Sequence, residues 1–334
     1  MKINDFTHNK IVLGYTYGGK TGEKLCILHN NEIWFLKFPQ NLTGQKTNLS
    51  YSTAPISEHL GSQIYKTIGI DTHDTELGIY ANKPVVACRD FNKTSDKFYE
   101  FRGLLNALSS SDSFSSAKFG AENENHYVEL SEIFKRMEDN FTPTVQEQMK
   151  ERFWQMFVVD AFINNQDRNT GNWGYFMNLT GEFVRLAPVY DNGSSFFPKT
   201  SDEKIQLDSF FNSTIYNSGT PFYHEGKKID AISVIRQLPT AFSNNDWNQR
   251  LKKGIIQVVP LLLKNINIFQ DKISDIPLEF KGVHLFSQSQ KTFYQRFLSK
   301  RLELILEPAL KRIIEIQKSP TINISKPTGK GMER

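Results

Sequence analysis

The chain of 334 residues is 39% hydrophobic and 23% charged and carries 26 phenylalanines, enough apolar mass for one large domain or two lobes with a real core. A net charge of +4 with a pI near 8.8 is mild at this length, so it permits an anionic ligand or nucleic acid and requires neither. Met1-Lys2-Ile3-Asn4-Asp5 opens no apolar run of signal length, and Ile255 to Leu263 is too short and interrupted to span a bilayer, so membrane insertion is not expected and a cytoplasmic location is the default.

Ile11-Val12-Leu13 predicts a first strand, followed by a glycine-bearing turn at Gly18-Gly19-Lys20-Thr21-Gly22. Leu25 to Leu28 and Ile33 to Phe38 are the next strands, joined by His29-Asn30-Asn31, and Pro39 stops the second of them. A helix is expected from Thr53–Pro55 to about Ile68, because Ile56, Leu60, Ile64 and Ile68 recur four apart and Gly69 follows. Glu58 lies roughly 160° around from the centre of that stripe, at the ~100° step of a helix, and so points away from its main packing face. Thr75 to Tyr80 and Pro84 to Arg89 add two strands around Asn82-Lys83. Cys26 and Cys88 both fall in predicted strands and are expected as buried thiols rather than a bridge.

From Phe98 the pattern turns helical, with Phe98 to Leu108 as a candidate helix and 109–116 as a serine-rich loop. Thr144-Val145-Gln146-Glu147 has the capping-box spacing and starts a long helix over 145–163, whose second half, from Phe153-Trp154 to Phe162-Ile163, is apolar nearly all round and belongs at the centre of a lobe. A polar loop, Asn164-Asn165-Gln166-Asp167-Arg168-Asn169-Thr170-Gly171-Asn172, follows, and then a hairpin of Trp173 to Met177 and Phe183 to Ala187. Further helices are expected over 230–238, 247–268 and 291–318, with Pro260 kinking or dividing the middle one. The organisation is therefore α+β, with a small, mostly antiparallel lobe over 1–95, a mainly helical lobe over 96–320, and a flexible tail over 321–334.

Gly14-Tyr15-Thr16-Tyr17-Gly18-Gly19-Lys20-Thr21 matches the phosphate-loop pattern in full, but that motif works by running into a helix N-terminus, and here strand residues follow. A glycine hairpin laid over nucleotide phosphates, as in kinases, suits the strand-turn-strand context better; a tight turn without ligand is the alternative. Lys37 ends the apolar run Trp34-Phe35-Leu36, so its stem either carries the charge out to water or sets the ammonium against phosphate oxygens, oriented by Glu58.

The polar loop likewise has two readings: ordinary turn chemistry, with side chains bonded to nearby backbone, or a site held at the ends of rigid elements. As a site, Asp167 suits orientation and deprotonation of a hydroxyl, while Asn172 and Asp191 offer the hard oxygen ligands that Mg²⁺ prefers. The five-residue step from Asp167 to Asn172 is that of the protein-kinase catalytic loop, and the hairpin returns the chain so that Asp191 can face the same cleft. The seven histidines are scattered without zinc-like spacing.

Gly18-Gly19-Lys20-Thr21-Gly22-Glu23-Lys24, Leu36-Lys37-Phe38-Pro39, the Glu58 helix, Val85-Val86-Ala87-Cys88-Arg89-Asp90-Phe91, Asn165 to Asn172 and Pro188-Val189-Tyr190-Asp191 together resemble the HipA family of bacterial serine/threonine kinases. The resemblance implies a two-lobed, protein-kinase-like fold, ATP and Mg²⁺ as cofactors, and phosphorylation of serine or threonine in protein, the chain itself included. By the same resemblance Asp167 is the catalytic base, Asn172 and Asp191 hold Mg²⁺, Lys37 contacts phosphate, and Gly18, Gly19, Lys20, Thr21 and Gly22 cover the phosphates. It also suggests export to a host cell as an alternative location.

The chain departs from the family in starting almost at the glycine-loop strand, so the N-terminal subdomain of the full-length toxins and their antitoxin–DNA complex are not expected. Arg168 follows the aspartate where ordinary protein kinases put arginine before it. A self-phosphorylated segment is expected either in 109–116 or at Ser194-Ser195, between which the sequence does not choose. Two other classes compete: a lipid or small-molecule kinase using basic pairs such as Lys227-Lys228, Lys252-Lys253 and Lys311-Arg312, and a non-catalytic scaffold or nucleic-acid module. DNA binding is not expected, because acid and base are evenly mixed and no zinc-finger or helix-turn-helix signature occurs.

Overall fold

The computed structural model describes residues 1–14, 24–44, 50–92, 95–109 and 128–318. Its first part holds strands β1 (Asn4–Asp5), β2 (Lys10–Ile11), β3 (Lys24–His29) and β4 (Glu32–Lys37), helix α1 (Ala54–Thr67), then β5 (Thr75–Tyr80) and β6 (Lys83–Arg89). These strands form a six-stranded sheet of order β1-β5-β6-β4-β3-β2, antiparallel except where β1 lies parallel to β5.

Period-two alternation sends alternate side chains of this sheet into two cores. Ile27, Trp34, Leu36, Val85 and Ala87 pack around Phe6 on one face, while Leu77, Ile79, Val86 and Cys88 on the other meet Ile56, Leu60 and Ile64 of α1. Lys37, one step past Leu36, must therefore emerge on the α1 side.

The second part continues with β7 (Lys97–Glu100), α2 (Phe101–Ser109), β8 (Val128–Glu129), α3 (Leu130–Asn140), α4 (Pro143–Ile163), β9 (Gly174–Met177) and β10 (Phe183–Leu186). It ends with α5 (Asp202–Ile205), α6 (Asp208–Tyr216), β11 (Gly219–His224), β12 (Lys227–Asp230), α7 (Ala231–Gln237), α8 (Asn245–Ser274), β13 (Glu279–Phe280), β14 (Val283–His284), α9 (Gln288–Arg301), a π-turn at Leu302–Leu306 and α10 (Glu307–Lys318). As its uniform apolarity requires, α4 runs through the core, with Phe153, Trp154, Val158, Val159 and Phe162 all buried. Among the described residues no helix is long and apolar enough to cross a membrane. Cys26 and Cys88 are free, buried thiols.

Several local expectations give way to packing. Phe98 lies in β7 rather than a helix because it pairs with Phe176 of β9, and α2 starts only at Phe101. The capping box at Thr144 is not used: α4 begins at Pro143, two residues before the expected 145, because the fixed φ of proline suits a first helical position, and Glu147 pairs with Arg250 instead. Pro260 does not divide α8, which runs unbroken from Asn245 to Ser274. Ile256 and Pro260 both lie on its exposed side, so the Ile256 carbonyl that proline cannot bond faces solvent while Val258, Val259 and Leu262 keep the inner face packed.

Candidate active site

Helix α4 ends at Asn164, in the left-handed region at φ 58°, and turns the polar loop back over its own C-terminus. The loop is rigid through short-range side-chain bonds. The Asp167 N–H donates to Asn165 Oδ1 (3.2 Å), Asn172 Nδ2 to the Asp167 carbonyl (2.6 Å), and Asn169 Nδ2 to Asp167 Oδ1 (2.8 Å). Turn chemistry and a preorganised carboxylate are thus one arrangement.

Beneath the loop, Arg168 is 3% exposed. It forks onto Asp160, with Nε to Oδ2 at 2.8 Å and Nη2 to Oδ1 at 3.2 Å, and Tyr65 donates to the same carboxylate at 2.8 Å. Its Nη1 donates both to the Asn172 carbonyl (2.9 Å) and to that of Tyr190, so one nitrogen ties the loop to the residue preceding Asp191. Burial opposes the guanidinium charge, but Asp160 outweighs it and the pKa is raised. Sequence reasoning missed Asp160; the signal that could have found it is a lone acid in the apolar run Met156 to Ile163, which needs a buried partner.

Glu58 is 1% exposed: it lies off the apolar stripe of α1, yet it turns into the protein rather than to water. Lys37 Nζ donates to Glu58 Oε2 at 2.9 Å and to Asp191 Oδ1 at 3.0 Å. His73 Nε2 stands 2.9 Å from Glu58 Oε1, and the Asn192 N–H donates to the same oxygen at 3.1 Å. Burial disfavours both charges, but Asp191 and Glu58 hold the Lys37 pKa above its usual value, and Lys37 with His73 holds the Glu58 carboxyl below its own. His73 reaches this position because residues 71–73 bond across to Val189, through Asp71 O to Val189 N (2.8 Å) and His73 N to Val189 O (3.1 Å). Gly61 completes the approach, since a Cβ there would sit 2.7 Å from Asn192 Cβ. Asp191 follows in the left-handed region at φ 60°, an uncommon conformation for a non-glycine residue and one that recurs at functional sites.

Lys37, Glu58, Asp167, Asn172 and Asp191 are therefore joined by two hydrogen-bonded hubs, and Gly18 to Gly22 lie outside the described residues. The residues that follow that turn form β3, a strand and not the helix a phosphate loop needs.

A family model for the HipA-like C-terminal domain matches residues 9–239. The chain belongs to this family. Over 328 residues, 95% of this chain and 90% of the relative, it is 28% identical to the serine/threonine-protein kinase CtkA of Helicobacter pylori. The crystal structure of the Helicobacter pylori proinflammatory kinase CtkA is similar with a TM-score of 0.79 at 25% identity, covering 96% of this chain and all of that one. The HipA-like chain is a two-lobed α+β enzyme of the kinase class, an antiparallel sheet lobe against a helical lobe.

Two more groups of this HipA-like site escaped sequence reasoning. Lys24 pairs in register with Lys37, and burial together with that neighbouring ammonium pushes its pKa down. Cys88 completes a buried group with Glu58 and His73, their ligand atoms within 4.8 Å of one another. Burial pushes its thiol up, keeping it protonated beside oxygens that Lys37, His73 and Asn192 already occupy.

Proposed function

We propose that this HipA-like enzyme transfers the γ-phosphoryl group of ATP to serine or threonine hydroxyls of protein, its own chain included. The observation that carries the reading is the Lys37 ammonium bonded at 2.9 and 3.0 Å to a buried and a half-exposed carboxylate, Glu58 and Asp191. A cation held charged at a cleft next to a solvent-facing acid suits a polyphosphate with its divalent counterion. The similarity to a relative named as a serine/threonine-protein kinase supports the acceptor class.

The donor set fits Mg²⁺: Asp191 offers carboxylate oxygen, and Asn172, whose amide nitrogen is committed to the Asp167 carbonyl, offers its amide oxygen. When bound, Mg²⁺ neutralises phosphate charge that builds up during transfer. Lys37 and Lys24 would hold phosphate oxygens, with Glu58 fixing the Lys37 ammonium, and Gly18, Gly19, Lys20, Thr21 and Gly22 are assigned to the phosphates on the sequence resemblance alone. Asp167 orients the acceptor hydroxyl and takes its proton as the hydroxyl oxygen bonds to phosphorus and the bond to the ADP oxygen breaks.

The self-acceptor narrows on accessibility. Ser195 is 0% exposed and Ser194 is partly exposed, while 110–116 lies outside the described residues. Incubation with γ-labelled ATP and Mg²⁺, followed by mapping of the labelled residue, tests the proposal; label on serine or threonine is expected, and an unlabelled protein contradicts it. Asp191→Ala should weaken Mg²⁺-ATP binding in a calorimeter, and affinity equal to wild type would remove Asp191 from the ligand set.

A further inference from the structure

Arg102, the second residue of α2, lies directly against the polar loop. Its backbone is fixed there on three counts: Glu100 pairs with Gly174 in the β7–β9 ladder, the Phe101 ring stacks on Trp173 at 4.2 Å, and the Arg102 N–H donates to the Thr170 carbonyl at 2.8 Å.

The side chain reaches further. Arg102 Nη2 donates to Asn169 Oδ1 at 2.8 Å, and the Gly171 N–H donates to that same oxygen at 2.9 Å. Two donors on one atom settle which end of the Asn169 amide is oxygen, because a flipped amide would turn its own donor against both. The Asn169 nitrogen is thereby aimed at Asp167 Oδ1, 2.8 Å away. Gly171 makes room for this: a Cβ there would lie 2.2 Å from Arg102 Nη2 and 2.6 Å from its Cζ. Its φ is not in the left-handed region, so the position demands space rather than glycine's backbone freedom.

We infer that Arg102 is a positioning residue for the Asp167 carboxylate, acting through the Asn169 amide, with Gly171 keeping the space its guanidinium fills. The inference rests on the phosphotransfer reading above. Its chemical content is orientation: the carboxylate meets an acceptor hydroxyl in one rotational setting, so the cost of finding that setting is removed from the transfer step.

The test is a double-mutant cycle on the purified full chain, with wild type, Arg102→Ala, Asn169→Ala, the double variant and Gly171→Ala compared for initial label incorporation over a range of ATP concentrations. Arg102→Ala and Asn169→Ala should each lower the rate at saturating ATP by about 10–100-fold, the range for groups that orient a reacting ligand. The ATP concentration giving half that rate should stay within about twofold, because the removed contact belongs to the acceptor side. The double variant should be no slower than the slower single one, since both break the same chain. Gly171→Ala, which displaces the guanidinium without removing it, should match Arg102→Ala and serves in its place if Arg102→Ala fails to fold.

Losses that multiply in the double variant would overturn the relay. So would an Arg102→Ala effect confined to the ATP half-saturation, which would make Arg102 a nucleotide contact, or an Arg102→Ala rate equal to wild type. A wild-type protein that takes up no label would overturn the phosphotransfer reading and this inference together.

Discussion

Glu58 and Asp160 are both buried acids bonded to a basic side chain, and both hubs are tied to the segment that carries Asp191. The Glu58 hub opens outward: its lysine is 23% exposed and shares its ammonium with Asp191, itself 42% exposed. The Asp160 hub is closed, with Arg168 3% exposed and its remaining donors spent on the Asn172 and Tyr190 carbonyls and on Asn192. Asn192 belongs to both: its N–H donates to Glu58, and its side-chain oxygen accepts from Arg168. The closed hub fixes where the loop and Asp191 stand. The open one leaves a cation and a carboxylate that a bound ligand can engage.

The same exchange of acid for amide at the two hubs should therefore have different consequences. Asp160→Asn leaves Arg168 charged and buried without its counterion, which should cost about 3–5 kcal/mol in denaturant unfolding; a loss under about 1 kcal/mol would mean the closed hub is not structural. Next in size is a pH effect beside the open hub. His59, the neighbour of Glu58 on α1, stands 3.0 Å from the Thr75 hydroxyl, and burial together with the Lys272 charge outweighs its bonding at Thr75 and pushes it from 6.5 down to about 4. The unfolded chain binds this proton below about 6.5 and the folded chain only near 4, so the stability is fully present above 6.5 and is lost as pH falls from 6.5 to 4, about 3 kcal/mol in all. His59→Gln should flatten the stability profile across that window, and an unchanged slope would contradict the buried neutral imidazole.

Glu58→Gln should cost less in folding, about 1.5–3 kcal/mol, the worth of a charge-assisted hydrogen bond, because Lys37 keeps Asp191 and partial access to water. Its mark should fall on function, as a smaller rise in melting temperature when Mg²⁺ and a non-hydrolysable ATP analogue are added. A rise equal to wild type would place the open hub on the structural side of the comparison. Smallest of all, Ser195→Ala should not destabilise the fold and should leave label uptake intact, because the hydroxyl is enclosed and makes no hydrogen bond among the described residues. Label lost with Ser195 would show that the segment after Asp191 opens.

The contrast between the hubs also explains what could be read from the chain. Lys37, Glu58, Asp167, Asn172 and Asp191 were legible because each sits at the end of, or off the apolar pattern of, an element whose period is plain in sequence. Their supports were not. His73 looked like one of seven scattered histidines, and it joins Glu58 only because residues 71–73 bond to Val189, more than a hundred residues away. Asn192 and Arg102 gave no periodic signal either, since both act through single contacts that depend on how distant segments pack. Local rules failed in the same way. Phe98 followed its strand partner Phe176, Thr144 lost the helix start to Pro143, and Pro260 stayed inside α8 because its missing bond faces water.

The most direct test of Asp167 as the proton acceptor is Asp167→Asn, assayed beside wild type with γ-labelled ATP and Mg²⁺ while melting temperature and ATP affinity are measured on the same preparations. The carboxylate accepts from Asn169 and the backbone N–H donates to Asn165, bonds that asparagine can also make, so folding and nucleotide affinity should stay near wild type, whereas label incorporation should fall by about 100-fold or more. Incorporation at the wild-type rate by the folded variant would contradict the account.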